Sequence, residues 1–185
     1  ETNISASKCS AVSTPTVLPW RFVTYTQAKQ LCARSGKRLP TNEEWYKVAL
    51  GQTDIANCFR GSKDEVNLTG ALNCSTPTGI NDMVGNVWEW MDEIVTSGNY
   101  QERILPESGY VSLVDDKGIV ISTANVGDNN FGKDYAWINN EGVRGILRGG
   151  FYGSGEDDGG IFSQNISVTL DFASAGVGFR CVKDL

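Results

Sequence analysis

The sequence predicts an α+β fold, and the order of its local patterns is the main reason. Two helical patterns lie between residues 24 and 51, and the chain after them alternates short apolar runs with turn residues. Helices grouped at one end of a strand-rich chain are typical of α+β domains. We predict a single domain over residues 20–185. A tail or extended edge segment rich in Ser, Thr and Pro precedes it at residues 1–19.

Both helices are predicted from capping boxes. Thr24 is followed three residues later by Gln27, and Thr41 by Glu44. In such a box the N-cap hydroxyl and the third helical side chain each accept a hydrogen bond from the other residue's backbone N–H. Apolar side chains then recur at helical spacing, and a glycine follows each pattern where the helix is expected to end.

The predicted strands are short and separated by turn signals. They are residues 20–23, 81–90, 111–114, 119–121, 146–148 and 177–182. Trp88 and Trp90 alternate with Val87 and Glu89, which favours a strand with one buried face. The turn residues 115–118 join the third and fourth runs as a hairpin.

Composition excludes several classes of function. The 185 residues carry a net charge of -6 without a basic cluster, so nucleic-acid binding is disfavoured. No apolar run is long enough to insert across a membrane. Histidine is absent, which excludes Ser-His-Asp and Cys-His catalysis and every metal site built on imidazole.

The five cysteines leave two interpretations open. Their spacing is irregular and contains no CxxC pair, so neither a zinc ribbon nor a thioredoxin motif fits. Two disulfides with one cysteine left over are expected in an oxidising environment, and five reduced thiols are the alternative. Cys58 and Cys74 are close enough in sequence to close their own loop.

The most distinctive region is bracketed by residues 147–150 (LRGG) and 178–181 (GFRC). Between Phe151 and Val177 there is no Lys, Arg, His, Trp, Met, Cys or Pro, and Gly, Ser, Asp and Asn are abundant. Such residues suit loops and short strands that present side chains outward. The two brackets supply cations, flexible backbone positions and an apolar anchor. We interpret the region as a rigid frame around a permissive surface, as in a recognition module.

Four segments together resemble the formylglycine-generating enzyme family, which has a C-type-lectin-like fold. They are residues 36–45 (GKRLPTNEEW), 83–90 (MVGNVWEW), 147–150 and 178–181. The resemblance covers residues 20–182 and implies that fold. Enzymes of the family bind copper through a cysteine pair between the last two segments, and the sulfoxide-synthase relatives bind iron through histidines. Residues 151–177 contain no Cys and the chain contains no His, so the known chemistry is missing.

The chain resembles another branch more closely, the variable proteins of diversity-generating retroelements. These proteins use the same fold to display a C-terminal region rewritten by adenine-directed mutagenesis, between RGG-like and GFR-like sequences. Mutable positions in that branch derive from AAY codons, and only Glu156 and Gln164 within residues 151–177 cannot be so encoded. Tyr152 stands where Trp is usual in the branch, and Leu170 where Pro is frequent.

This resemblance implies a non-enzymatic protein that binds an unknown macromolecular ligand, a protein above all, through solvent-facing side chains. The candidate variable positions are Phe151, Tyr152, Gly153, Ser154, Asp157, Asp158, Ser167, Val168, Asp171, Phe172, Ser174 and Gly176. Aromatic side chains would supply contact area, and small polar ones adaptable hydrogen bonds. The alternative is a loop without a partner, with Phe162 and Ile166 in the core. The binding role implies a location on a cell surface or a virus particle.

A disulfide between Cys32 and Cys181 is also implied by the resemblance, because these residues match positions that pair in the oxidising enzymes. Such a bond would join the first helix to the last strand and brace the frame beneath the candidate surface. Two buried thiols close in space are the alternative.

A calcium site is implied in the same way. Asp82, Gly85, Val87 and Glu89 align with a calcium site of the enzyme family, and hard oxygen ligands suit this ion. In the alternative, Asp82 and Glu89 cap strands or pair with Arg148 or Arg180. The binding hypothesis itself requires no cofactor.

Other functions stay open at this point. One is a formylglycine-generating-enzyme-like protein with lost or unknown catalysis, and another is a C-type-lectin-like carbohydrate binder. Asp157 and Asp158 could be interpreted as a catalytic carboxylate pair. Adjacent residues in a glycine-rich loop seldom point into one cleft, so we disfavour that role.

Overall fold

The computed structural model describes residues 9–184 except 53, 54, 59, 62, 156 and 157. Within this part of the chain lie helices α1 (Tyr25–Arg34) and α2 (Asn42–Ala49) and short 3₁₀ turns at Ile55–Asn57 and Asn129–Phe131. The strands are β1 (Trp88–Thr96), β2 (Asn99–Tyr100), β3 (Arg103–Ile104), β4 (Gly109–Val114), β5 (Val120–Ala124), β6 (Tyr135–Ile138), β7 (Val143–Arg148), β8 (Gln164–Ile166) and β9 (Val177–Gly178). The predicted α+β class is confirmed.

Both predicted capping boxes are present. Thr24 Oγ1 accepts from the Gln27 N–H at 3.3 Å, and Gln27 Oε1 accepts from the Thr24 N–H at 2.9 Å. Thr41 and Glu44 exchange the same two bonds at 3.2 and 2.8 Å. After α1, Gly36 takes a φ of +68°, which glycine adopts without steric cost. In the described part of the chain, neither helix has the length and apolarity that crossing a bilayer requires.

One sheet contains the described strands, in the order β3-β2-β1-β7-β8-β6-β4-β5, with β9 beside β1. Most neighbours are antiparallel, including the predicted hairpin of β4 and β5. The pairs β1–β9 and β6–β8 are parallel. Because β8 lies between β7 and β6, the C-terminal region contributes a strand to the middle of the sheet.

Several strand predictions need correction. Residues 20–23 form no strand, because Phe22 has a φ of +56° that turns the chain out of extended geometry. The strand predicted from residue 81 begins only at Trp88, and it is buried on both faces because two apolar clusters pack against it. The closing strand ends at Gly178, and Val182 forms an isolated bridge to Arg38.

Two disulfides brace the core, as predicted. Cys32–Cys181 joins α1 to the chain after β9, and Cys58–Cys74 closes a loop before β1. Their sequence separations are 149 and 16 residues. In the loop-entropy model these closures stabilise the fold by about 5 and about 3 kcal/mol. Cys9 is free.

Residues 9–19 have neither helix nor strand, but they lie along the body of the protein. The Ala11 N–H donates to Leu31 O at 3.2 Å, and the Thr16 N–H donates to Thr69 O at 2.8 Å. The domain boundary at residue 20 stays a prediction.

Candidate functional site

Arg148, the first residue of the RGG motif, is fully buried at the end of β7. Its Nη1 donates to Gly118 O at 2.9 Å and its Nη2 to Ile161 O at 2.8 Å. The guanidinium lies 5.0 Å from the centre of the Trp45 ring, in the geometry of a cation–π contact. Burial lowers the pKa of Arg148 to about 10. Arg148 therefore ties the β4–β5 turn to the candidate variable segment from beneath.

Gly149 directs the chain out of β7. Its φ is +91°, and a Cβ built on it would lie 2.7 Å from Met83 O. Both the conformation and the lack of space exclude a side chain there. The Gly149 carbonyl in turn accepts from the Gly85 N–H at 2.9 Å, which fixes the path into residue 151.

The middle of the candidate segment, residues 159–166, is mostly buried, and we refer to it as the inner stretch. The buried Gln164 side chain donates to Gly118 O at 3.0 Å and accepts from the Val120 N–H at 3.3 Å. Ile166 is fully buried and Phe162 packs against the core. The expectation of outward side chains is wrong here, because β8 is inserted between two other strands.

Asp134 holds the inner stretch from the other side. It is 2% exposed, and its Oδ2 accepts from the Phe162 N–H at 2.7 Å. Burial raises the pKa of the Asp134 carboxyl to about 6, although the Phe162 and Ser163 hydrogen bonds and the nearby Arg60 and Arg148 charges oppose the shift.

The remaining described positions of the segment that are not buried lie mainly in residues 151–153 and 167–175, which we call the outer flanks. Asp171 and Phe172 are exposed, and Phe172 is 38% exposed. The other candidates there are partly exposed, namely Phe151, Tyr152, Gly153, Ser167, Val168 and Ser174. Asp158 is partly exposed, and Asp157 lies outside the described residues.

Two candidates do not face solvent. Ser154 is buried, and its Oγ accepts from the Phe151 N–H at 3.1 Å. Gly176 is buried against the same ring, since a Cβ added to it would lie 2.5 Å from Phe151 Cδ2. The outward placement predicted for these two positions is wrong, because Ser154 turns inward to the Phe151 N–H and Gly176 packs against the Phe151 ring.

Phe151 brings the two outer flanks together. Its ring lies beside Gly176 at the end of one flank and 5.1 Å from the Tyr152 ring within the other. The Tyr152 N–H donates to Asn86 O at 3.0 Å, and the Trp88 N–H donates to Gly176 O at 2.8 Å. The flanks thus form adjoining surfaces anchored on the loop before β1 and on its first residue.

The second outer flank also contacts the residues before and at the start of α1. The Tyr25 N–H donates to Leu170 O at 3.1 Å, and the Phe22 N–H donates to Ser174 O at 3.1 Å. Phe22 is 54% exposed beside this flank. Sequence reasoning missed Phe22, because an aromatic residue in a short apolar run predicts a buried strand.

Glu89, one of the predicted calcium ligands, forms an ion pair with Arg180, as the alternative interpretation expects. Glu89 is buried, and its two carboxylate oxygens accept from Arg180 Nε and Nη2, each at 2.6 Å. Glu89 Oε2 also accepts from Trp45 Nε1 at 2.8 Å. The Asn81 and Asp82 carbonyls accept from Arg180 Nη2, both at 3.2 Å. The guanidinium therefore occupies the Glu89 carboxylate that a calcium ion would need, so one end of the predicted donor set is already neutralised by an ion pair.

The other members of the calcium prediction are engaged too. The Asp82 carboxylate accepts from the Gly70 N–H at 2.7 Å, and burial raises its pKa. Gly85 and Val87 are buried. Among the described residues, no three His, Cys, Asp or Glu side chains are grouped so that they could hold a metal ion.

A groove of about 1240 Å³ lies between residues 10–22 and the body of the protein. Trp45, Glu89 and Arg180 line it. Because Glu89 and Arg180 neutralise each other across a short ion pair, the wall of the groove carries little net charge at this point.

A family model described as "Sulfatase-modifying factor enzyme 1-like domain" matches residues 3–185. The chain belongs to this family. One relative is the inactive C-alpha-formylglycine-generating enzyme 2 of Bos taurus, which is 28% identical over 120 residues. The match covers 52% of this chain and 40% of that relative, so the chain spans less than half of the relative's length.

Solved structures show the same fold for this member of the family. The U1 variant of the Major Tropism Determinant superposes with a TM-score of 0.53 at 19% identity, covering 87% of this chain and 37% of that chain. Treponema denticola variable protein 1 superposes with a TM-score of 0.54 at 14% identity, covering 95% of this chain and 77% of that chain. PvdO from Pseudomonas aeruginosa superposes with a TM-score of 0.59 at 16% identity, covering 95% of this chain and 65% of that chain. The predicted C-type-lectin-like fold is confirmed, and so is the resemblance to variable proteins at the level of fold.

Proposed function

We propose that this protein is a binding protein of the retroelement variable type, which recognises a macromolecular partner through its outer flanks. The observation that carries the proposal is the division of residues 151–177 into a buried inner stretch and partly exposed flanks. Phe151 brings the flanks onto adjoining surfaces, and main-chain bonds hold them. Apart from Phe151, the side chains of a surface held by main-chain bonds can be replaced without moving it.

The chemistry of the outer flanks suits a protein partner. Tyr152 and Phe172 offer aromatic area with few rotatable bonds, and Ser167, Asp171 and Ser174 offer adaptable hydrogen-bonding groups. Binding surfaces of antibodies combine the same residue types. The proposal places the protein outside the cell, on a cell surface or a virus particle, where it would meet such a partner.

The proposal does not include catalysis or a resident cofactor. Residues 151–177 contain no Cys and the chain contains no His, so the ligands that copper or iron would use in the enzymes are missing. The Arg180 guanidinium in the predicted calcium site argues against a second cation there. The family relationship to an inactive formylglycine-generating enzyme supports the same conclusion.

Panning a random-peptide phage library on the protein tests the binding role. We expect most selected peptides to bind at least about tenfold more weakly after Tyr152→Ser, Asp171→Ser and Phe172→Ser are introduced together, because aromatic anchors dominate such interfaces. Ile104→Ser is the matched control, since Ile104 is 68% exposed but lies on β3 at the edge of the sheet. Peptides that bind both variants equally would contradict the proposal.

The gene provides an independent test of the retroelement origin. We expect a non-coding copy of the segment encoding residues 151–177 near a reverse-transcriptase gene, differing from it only at adenines of the template. Sequencing the locus checks this, and finding neither feature would remove the retroelement part of the proposal.

A further inference from the structure

Phe22 combines exposure with an unusual backbone. It is 54% exposed, and its φ of +56° lies in the left-handed region that bulky residues rarely adopt. Conformations of this kind persist only where the surroundings impose them, and they concentrate at functional sites.

The surroundings that impose it belong to the second outer flank. The Phe22 N–H donates to Ser174 O at 3.1 Å, and Arg21 Nη1 donates to Ala175 O at 3.3 Å. Both acceptors are main-chain carbonyls. These bonds therefore persist whatever side chains residues 174 and 175 carry.

Arg21 and Phe22 also contact each other. The guanidinium carbon of Arg21 lies 5.5 Å from the centre of the Phe22 ring, within cation–π distance. Arg21 forms no ion pair with any residue that the structure describes. The pair thus places a positive charge against an exposed aromatic ring, next to the outer flank.

We propose that Arg21 and Phe22 form a constant part of the binding surface, and that they select partners with a carboxylate beside an apolar side chain. The inference rests on the proposed function, which it extends to residues outside 151–177. The ring would pack on the apolar group, and the guanidinium would bind the carboxylate in the fork geometry that arginine favours. A surface whose other side chains are interchangeable would thereby keep one fixed contact.

The test uses the peptides selected on the unaltered protein. Phe22→Gly removes the ring and also accommodates the positive φ, so the variant should fold at least as well as the unaltered protein by thermal melting. Arg21→Gln removes only the charge. Val126→Gly is the matched control, because Val126 is 77% exposed and lies in the loop after β5.

We expect Phe22→Gly to lower the affinity for most peptides by about tenfold or more. Arg21→Gln should lower their affinity by about three- to tenfold and make that affinity less dependent on salt. Val126→Gly should change affinity by less than about twofold. The selected peptides should be enriched in Asp or Glu next to apolar residues.

Two results overturn the inference and are distinguishable from each other. Peptides that weaken on the triple outer-flank variant but bind Phe22→Gly and Arg21→Gln normally would remove the inference and leave the proposed function intact. Peptides that bind all of these variants normally would remove both.

Discussion

The inner stretch and the outer flanks belong to one continuous segment, but different kinds of contact hold them. In the inner stretch, buried side-chain bonds such as those of Gln164 to Gly118 and Val120 add to the main-chain pairing of β8 with β6 and β7. In the outer flanks the bonds to the rest of the protein are main-chain bonds, as between the Tyr25 N–H and Leu170 O. This difference indicates that a segment tolerates replacement of its side chains when main-chain atoms anchor it, whatever its composition.

Replacing Arg148 should reduce the free energy of unfolding most, because its buried side chain is bonded to the inner stretch and to the β4–β5 turn. Arg148→Met removes the donor to the Ile161 carbonyl, leaves Gly118 O with the Gln164 side chain as its remaining side-chain donor, and removes the contact with Trp45. We expect a loss of about 3–5 kcal/mol in the free energy of unfolding, measured by urea denaturation. Arg144→Met, in the same strand, should cost less than about 1 kcal/mol. Equal costs for the two variants would mean that the frame does not depend on Arg148.

Asp134, which is hydrogen-bonded to the inner stretch, should make the stability of the protein depend on pH. Burial raises the pKa of the Asp134 carboxyl to about 6 in the folded state, whereas an Asp side chain in the unfolded chain has a pKa of about 4. Between about pH 4 and 6, Asp134 is therefore protonated in the folded state and ionised in the unfolded state. Stability should therefore fall as pH rises through this window, by up to about 3 kcal/mol relative to Asp134→Asn. Urea denaturation across the window measures the difference.

The exposed Asp171 provides the control for that experiment. A hydrogen bond from Thr169 lowers its pKa, so Asp171→Asn should not remove a fall of this sign. If the free energies of unfolding of the unaltered protein and Asp134→Asn changed in parallel with pH, Asp134 would not be a buried carboxyl with a raised pKa.

Gly176 lies where an outer flank turns inward, and replacing it should cause an intermediate loss in the free energy of unfolding. A methyl group there would press on the Phe151 ring, so we expect Gly176→Ala to cost about 1–3 kcal/mol. Adding Phe151→Ala should recover part of this cost, which a double-mutant cycle in urea can measure. Strict additivity of the two changes would show that the ring and the glycine are not in contact.

The smallest effect is expected in the outer flanks themselves. Asp171, Phe172 and Ala173 are consecutive exposed residues. Replacing all three by Asn should change the free energy of unfolding by less than about 1 kcal/mol, since surface substitutions cost little each. A thermal melt checks this. A large loss would mean that these side chains belong to the frame after all.

The elements that were predicted correctly are those with local causes. Thr24 and Thr41 start helices because the partner of each cap lies three residues away. The β4–β5 hairpin follows from its turn residues. The Cys32–Cys181 bond, which joins distant residues, came only from the resemblance to a known family.

The errors concern residues whose surroundings are distant in sequence. Nothing near Gln164 indicates that β8 is inserted between β6 and β7, and the sequence offered the Glu89–Arg180 pair only as one alternative to a calcium site. The left-handed backbone of Phe22 is imposed by Ser174, far along the chain.

The sequence by itself determined the two helices, the hairpin and the absence of imidazole chemistry, because these depend on neighbouring residues or on composition. Only the tertiary structure decided which part of residues 151–177 is buried and which residues outside it adjoin the exposed part. The physical reason is that the burial of a side chain is set by the strands and loops packed around it, and these come from every part of the chain.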